Sequence, residues 1–462
     1  MGENKNWYSS SSSSSGEHIV MLPLMTQGHL IPFLSLARQI IRRRATATVT
    51  IATTPINLDS LRRSLSDEPA NIHIAELPFP ADLLTDNSTS TPESRLKLYR
   101  ASLDLESPVR DLLRRLTPRC LISDVFLGWA TATSESLGIQ NFTFTTCGAY
   151  GSLGYMSVWM NLPHRKQRIA DADGEEYFSI PGFPENYRFR MSQLPQIFGD
   201  ADGKDPWSEF FRPQIAGSME SAGWLCNTVE EFEGSGLELL RRFVNRPVWA
   251  VGPLVPPVVN GPNEIGNLCR EWLQAHGPGT VLYICFGSQN SPTPSQMIQL
   301  ATALEQISVP FVWAGRGFEE GFAGRVSESG KGILIHEWAP QMEILSHAST
   351  GAFLSHCGWN SVLESLSQGV PIVAWPLAAE QGFNAKMLVE EMGVAVDLAG
   401  FETAEVKRAV EKAMGAEMRR KAAAVAEGLR MAVRDDDGED EKGSSVRSID
   451  EFLGTVLRKA NC

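Results

Sequence analysis

The chain has 462 residues, of which 43% are hydrophobic and 39 are glycine, and its formal net charge is −13. That length exceeds one ordinary hydrophobic core and predicts two domains. The acidic balance argues against nucleic acid or an anionic membrane as the main partner, and seven scattered cysteines without a C-x-x-C pair suggest neither a disulfide framework nor a zinc site.

Residues 1–16 are polar, carry the serine run 9–15 and lack an apolar core, so they read as a disordered tail rather than a secretory signal. Asn6 stands where a myristoylation motif requires Ser or Thr. No apolar run reaches the roughly 18 residues of a membrane span. A reducing, cytoplasmic setting is expected. Without a signal, the sequons Asn87-Ser88-Thr89 and Asn141-Phe142-Thr143 read as accidental.

The first strand signal is His18-Ile19-Val20-Met21-Leu22. It leads through Thr26-Gln27-Gly28-His29 into a helical pattern from Leu30 to Arg43, and a β-branched run follows at residues 47–53. Strand, helix and strand in that order imply a βαβ unit and a parallel sheet. Cys120–Asp124 is predicted as a third strand and Phe142–Thr145 as a fourth. Residues 17–252 form a first domain on this reading, and the Pro- and Gly-rich segment 253–264 a linker. The second domain, 265–445, restarts with strand Val281–Phe286, the turn Gly287-Ser288, a helix from about Pro294 to Ile307, and strand Phe311–Trp313. The acidic segment 435–442 reads as a solvated loop, and 446–462 as a C-terminal helix with Ile449, Phe452, Leu453 and Val456 on one face.

Between Trp338 and Gln381 the composition turns unusual. Gly351–Ser355 reads as a buried strand, His356-Cys357-Gly358-Trp359 as a turn, and Asn360-Ser361 as a helix start carrying Val362, Leu363 and Leu366 inward. Gly369 stops that helix, and the chain returns as strand Val370–Trp375. A helix N-terminus offers unpaired N–H groups and a partial positive charge, which suits a phosphate. Gly358 lets the backbone come close. Blander readings exist for single residues. Ser361 and Glu364 form S-x-x-E, a capping box; Trp338 reads equally as core; His356 alone reads as a packed histidine. They do not account for the whole set together with Glu380-Gln381.

That set resembles the signature box of plant UDP-dependent glycosyltransferases. The agreement covers Trp338-Ala339-Pro340-Gln341, His347, Gly351, His356 through Ser361, Glu364, Gly369, Pro371, Pro376 and Gln381. The resemblance extends from about His18 over nearly the whole chain. It implies the GT-B fold, an α/β architecture of two Rossmann-like domains facing across a cleft, with the C-terminal helix packing back on the first domain. It also implies roles. Trp338 stacks on uracil and Ala339 bonds its edge through the backbone. Gln341 and Glu364 hold the ribose hydroxyls. His356, Asn360, Ser361 and Ser288 bind the diphosphate, and Trp359, Glu380 and Gln381 contact the sugar. A final Gln accompanies glucose in this family, so the implied donor is UDP-glucose, with no bound cofactor and no metal.

For the base, His29 follows the first strand, where ligands of parallel α/β sheets bind, and His removes protons near neutral pH. Asp124 ends another strand of the same sheet and is suited to orient His29. The resemblance matches His29 to the family's catalytic histidine and Asp124 to its partner. It matches Thr146 to a residue touching the sugar 6-hydroxyl, with a slip of one left open by Thr145-Thr146. The implied activity is inverting transfer of glucose to a hydroxyl of a small lipophilic acceptor, a plant phenolic or flavonoid, by a monomer. The acceptor pocket is expected near Phe126–Gly128, Cys147 and Tyr187–Phe198. Rival readings are a UDP-sugar isomerase or a non-catalytic UDP-sugar binder on the same fold. A third is a nicotinamide enzyme suggested by Gly315-Arg316-Gly317, a weak match with no convincing helix behind it.

Overall fold

The computed structural model describes residues 17–65, 70–80, 83, 91–166, 168–172, 174–258, 264–287, 289, 291–435 and 442–457. The serine run, the sequon at Asn87 and most of the acidic segment 435–442 lie outside them.

Seven parallel strands form the first sheet: β1 (His18–Leu22), β2 (Thr48–Thr53), β3 (Ile72–Glu76), β4 (Cys120–Asp124), β5 (Gln140–Thr145), β9 (Trp224–Cys226) and β10 (Val248–Ala250). Between β5 and β9 a small antiparallel sheet is built from β6 (Ile169–Ala170), β7 (Glu176–Phe178) and β8 (Phe189–Arg190). The second large sheet holds six strands: β11 (Val281–Cys285), β12 (Phe311–Ala314), β13 (Gly332–Ile335), β14 (Thr350–Ser355), β15 (Ile372–Ala374) and β16 (Ala395–Asp397). The first sheet runs β10-β9-β5-β4-β1-β2-β3 and the second β13-β12-β11-β14-β15-β16. Both are doubly wound, and in each the strand order reverses once, between β1 and β4 and between β11 and β14. Loops leaving the carboxyl ends of such a pair diverge and leave a crevice where ligands bind.

The strands form because helices cover both faces of the sheets, so nearly every position is apolar. Four of the five β1 residues and all of β4 are buried. Helix α1 (Gln27–Arg43) turns Leu30, Phe33, Leu34, Ala37, Ile40 and Ile41 to the core at helical spacing. It starts three residues earlier than the apolar pattern predicts, because Gln27, Gly28 and His29 bring no apolar side chain to the periodicity. In the two large sheets, strands β3, β9, β10, β13 and β16 also escaped the sequence reading; the last four are only three or four residues long, and β3 exposes His73 and Glu76 among its five residues. The Gly315-Arg316-Gly317 turn is followed by a helix, α2 (Phe322–Ser329), contrary to the expectation that none opens there. That helix has Gly321 as its N-cap, too far on for a phosphate-binding fingerprint. In the second half, β14 leads through a tight turn into helix α3 (Trp359–Ser367), close to the predicted helix start.

One hydrophobic cluster spans the two halves, joining Tyr150, Trp159 and Phe211 to Trp359, Leu366 and Phe383. The C-terminal helix α4 (Ser444–Leu457) packs back on the first sheet. Ile449, Phe452, Leu453 and Val456 join the core with Phe33, Phe142 and Trp249, and Asp450 pairs with Arg43 at 2.6 Å. Asn141 of the second sequon is 1% exposed and its amide donates to Ser123 and Thr131, so it is closed to a glycan.

Candidate donor and catalytic site

His29 lies in the first turn of α1, the helix that follows β1, and Asp124 at the end of the adjacent strand β4, at the reversal of the first sheet. The two side chains meet, with His29 Nδ1 2.6 Å from Asp124 Oδ2. Asp124 is fully buried, and its other oxygen accepts the Phe126 N–H at 3.1 Å. The carboxylate therefore cannot swing away, and its contact assigns the proton to Nδ1. Nε2 is left as the acceptor. Burial works against a charged ring, but the charges of Asp124 and Glu380 outweigh it and hold the His29 pKa above its usual 6.5. Thr146 Oγ1 stands 3.4 Å from His29 Nδ1, whereas Thr145 turns the other way to Ser152 at 2.6 Å. Thr146, not its neighbour, faces His29.

Across the cleft, β14 ends in the turn His356-Cys357-Gly358, which delivers the chain into α3. Gly358 is the N-cap of that helix, without a side-chain cap. The capping box, the blander alternative for Ser361 and Glu364, does not form. Instead Gln341 Nε2 donates to Ser361 Oγ at 3.1 Å and to Glu364 Oε2 at 2.5 Å, while the Tyr283 hydroxyl donates to Gln341 Oε1 at 3.0 Å. Glu364 is 8% exposed, and burial lifts its pKa to about 7 against the opposing Gln341 contact. The Ser361 hydroxyl accepts here and keeps its own proton to donate.

His356 is held between two glycines. A Cβ on Gly358 would stand 2.5 Å from its Nε2, and one on Gly287 2.8 Å away. Burial lowers its pKa to about 4 against a hydrogen bond to the Cys285 backbone, so the imidazole is neutral. Cys357 sits at φ 62° and Ala379 at φ 52°, two non-glycine residues in the left-handed region within one site. Asn384 fixes the first turn by donating to the Cys357 carbonyl at 3.0 Å. Gln381 fixes the second, because its Oε1 accepts the N–H groups of Leu377 and Ala378 at 2.9 and 2.8 Å. Its amide nitrogen is not used in that turn.

Two site residues are placed differently from the simple expectation. The Trp359 ring is not open to a sugar: it is 2% exposed, and its Nε1 donates to the Asn227 carbonyl at 2.6 Å in the shared core. Only its backbone remains at the site, where the N–H reaches the Glu380 carboxylate. Trp338 is the opposite case. It is 68% exposed, so it is not core but an open aromatic face. Ala339 follows it on the same irregular segment, its carbonyl accepting the Gln341 N–H at 2.8 Å. Ser288 lies outside the described residues. Burial raises the pKa of the Glu380 carboxyl, with the charge of His29 and a hydrogen bond from the Cys147 thiol acting against it.

The two halves are tied at the site itself. Asn360 Nδ2 donates to the Gly28 carbonyl at 2.9 Å, and Arg95 Nη1 to the Gln289 carbonyl at 3.1 Å. Sequence reasoning missed Tyr283, Asn227 and Asn384, which hold other site residues in place. Tyr283 lies inside a strand and Asn384 inside a short helix, where side-chain polarity carries no motif. Asn227 follows β9, a strand too short to mark its own end. Among the described residues no three His, Cys, Asp or Glu side chains cluster as metal ligands, and no helix is long and apolar enough to cross a membrane.

A doubly wound pair of sheets with a His–Asp pair at one reversal and a glycine-lined helix start at the other defines a nucleotide-dependent transferase of the GT-B type. Residues 259–425 match the UDP-glucoronosyl and UDP-glucosyl transferase family. Crocetin glucosyltransferase 3 of Crocus sativus is 42% identical over 81% of this chain and 85% of its own length. UDP-glycosyltransferase 92A1 of Arabidopsis thaliana is 37% identical over 96% and 97%. Medicago truncatula UGT71G1 complexed with UDP-glucose superposes with a TM-score of 0.80 at 27% identity, covering 96% of this chain and 98% of that one. A Polygonum tinctorium UDP-glucosyltransferase capable of glucosylating indoxyl does so with a TM-score of 0.80 at 27% identity, over 96% and 99%. The chain belongs to the plant UDP-glycosyltransferases and is a UDP-sugar-dependent transferase.

Proposed function

We propose that the protein transfers glucose from UDP-glucose to a hydroxyl of a small, lipophilic, aromatic acceptor with inversion at the anomeric carbon. The single observation that carries this reading is the His29–Asp124 pair, 2.6 Å apart and directly across from the first turn of α3.

In the proposed mechanism His29 Nε2 takes the acceptor proton. The acceptor oxygen forms a bond to C1 of glucose as the bond from C1 to the diphosphate oxygen breaks. The electron pair leaves with UDP. Asp124 stabilises the imidazolium that forms. The charge arriving on the diphosphate meets the N–H groups of α3, the Ser361 hydroxyl, the Asn360 amide and neutral His356, all fixed before reaction. Trp338 stacks on the base, Ala339 bonds its edge, and Gln341 with Glu364 takes the ribose diol. Glu380 and Gln381 face the sugar hydroxyls and Thr146 the 6-hydroxyl. An aromatic wall supports the acceptor class: Phe126 lies 5.9 Å from the His29 ring and continues to Tyr155 at 5.6 Å and Phe211 at 5.0 Å between ring centres. Two carboxylates beside that wall disfavour an anionic acceptor group close to His29. The protein acts as a monomer in the cytoplasm on this reading, with residues 17–252 as acceptor domain and 265–445 as donor domain.

The test is incubation with UDP-glucose and a panel of phenolic acceptors, with glucoside and UDP quantified together. His29→Ala should lower turnover about a hundred- to ten-thousandfold while UDP binding by calorimetry stays within about twofold. UDP-glucose consumption without glucoside, or a His29→Ala protein with equal loss of UDP binding, contradicts the assignment.

A further inference from the structure

In an α-helix each N–H bonds the carbonyl four residues earlier. Pro32 lies inside α1, at its sixth residue, and is buried. It has no N–H, so the carbonyl of Gly28 has no donor within the helix. That same carbonyl receives Asn360 Nδ2 at 2.9 Å, from 332 residues further along the chain. The carbonyl belongs to the peptide unit that enters His29, whose own N–H is held by the Thr26 carbonyl at 3.0 Å. Asn360 in turn is the second residue of α3, the helix whose start is proposed above to meet the donor diphosphate. The space around Gly28 is open, with nothing within 4 Å of a Cβ built there. What the contact uses at position 28 is the carbonyl, not the missing side chain.

We propose that Pro32 is a positioning residue: by leaving the Gly28 carbonyl without a partner in the helix, it provides the acceptor through which Asn360 fastens the donor-site helix beside His29. The inference rests on the transferase reading above and deepens it. An amide has two N–H donors, so Asn360 holds Gly28 with one and keeps the other for a phosphate oxygen. The distance between base and donor is then set in part by one side chain that touches both sides of the cleft. Pro32 touches neither substrate. A proline kept in a helix interior, where it costs helix stability, has a reason in the contact it makes available.

Pro32→Ala restores the missing N–H, and the Gly28 carbonyl is then shared between that backbone N–H and the Asn360 amide. Removing a helix-interior proline favours the helix, so the variant should fold. Its kcat should fall about three- to tenfold, the size of one shared hydrogen bond, with KM for UDP-glucose and acceptor within about twofold. In an Asn360→Ala background the same substitution should change kcat by less than about twofold, because the contact is already gone. Equal losses in both backgrounds would mean that Pro32 acts through packing and overturns the proposal, as would no loss in either. The same cycle is read from urea unfolding of the four proteins, which needs no turnover. Coupling between positions 32 and 360 in unfolding, with an inactive parent, sinks the functional reading alone. An active parent without coupling sinks this one.

Discussion

Glu364 stands where two demands conflict, and replacing it with Gln separates them. It is 8% exposed, and its pKa rises to about 7 from an ordinary 4.5 because burial penalises the carboxylate. At 1.36 kcal/mol per pH unit this rise corresponds to about 3 kcal/mol of folding stability lost by pH 8. Relaxation and water entry should reduce that to about 1–2 kcal/mol. The sign follows from the direction of the shift. A raised folded-state pKa gives a contribution that is full below about 4.5, is lost as pH rises through about 7, and then stays lost. Glutamine has no proton to lose and still accepts from Gln341 Nε2, so Glu364→Gln should be more stable than the parent at pH 8. For a domain of this size the gain is about 2–5 °C in melting temperature. At pH 5 it should nearly vanish. Scanning fluorimetry of both proteins without ligand, from pH 5 to 8, measures this. Calorimetry at pH 8 measures the opposing effect: the proposed ribose diol loses a charged acceptor, and UDP should bind about ten- to a hundredfold more weakly. A gain equal at pH 5 and pH 8 refutes the burial argument. Unchanged UDP affinity refutes the ribose role.

Trp338→Ala should leave the melting temperature within about 1 °C, since the ring is 68% exposed and packs into no core. UDP affinity should fall about tenfold through lost base stacking, and unchanged affinity counts against Trp338 as the uracil platform. For Asp124→Asn we expect kcat lower by about a hundred- to ten-thousandfold with the fold intact. His29 must be neutral to act as base, so the rate falls as pH drops through its pKa. Losing Asp124 removes the charge that holds that pKa up against burial, and the acid limb of kcat/KM should move to lower pH. A limb that stays in place would show that Asp124 does not set the His29 pKa.

Much of the fold could be read before any coordinates because parallel strands covered on both faces announce themselves. His18–Leu22 and Cys120–Asp124 are runs with apolar centres, and both observed strands keep those limits. Strands β9 and β10, three residues each, are too short for any period to register. At the site, the local signals were those of backbone geometry. Gly358 and the Asn360-Ser361 helix start are legible because N–H groups and φ angles belong to consecutive residues.

Side-chain partnership is a different matter. The S-x-x-E spacing at Ser361 and Glu364 suits a cap as well as a ligand pair, and nothing local excludes the cap. Gln341, 20 residues before Ser361, takes both oxygens instead. Trp359 and Trp338 both read as aromatic contacts for a ligand, yet one is sealed in the core shared by the two halves and the other stands open. The sequence by itself determined the parallel α/β character of the two halves, the helix start at Asn360-Ser361 and the histidine that follows the first strand. The tertiary structure decided which groups meet. His29 finds Asp124 across 95 residues, and Asn360 finds Gly28 across 332. Hydrogen bonds and burial depend on distance in space, and only the folded pairing of β1 with β4, and of one sheet with the other, brings these residues within reach.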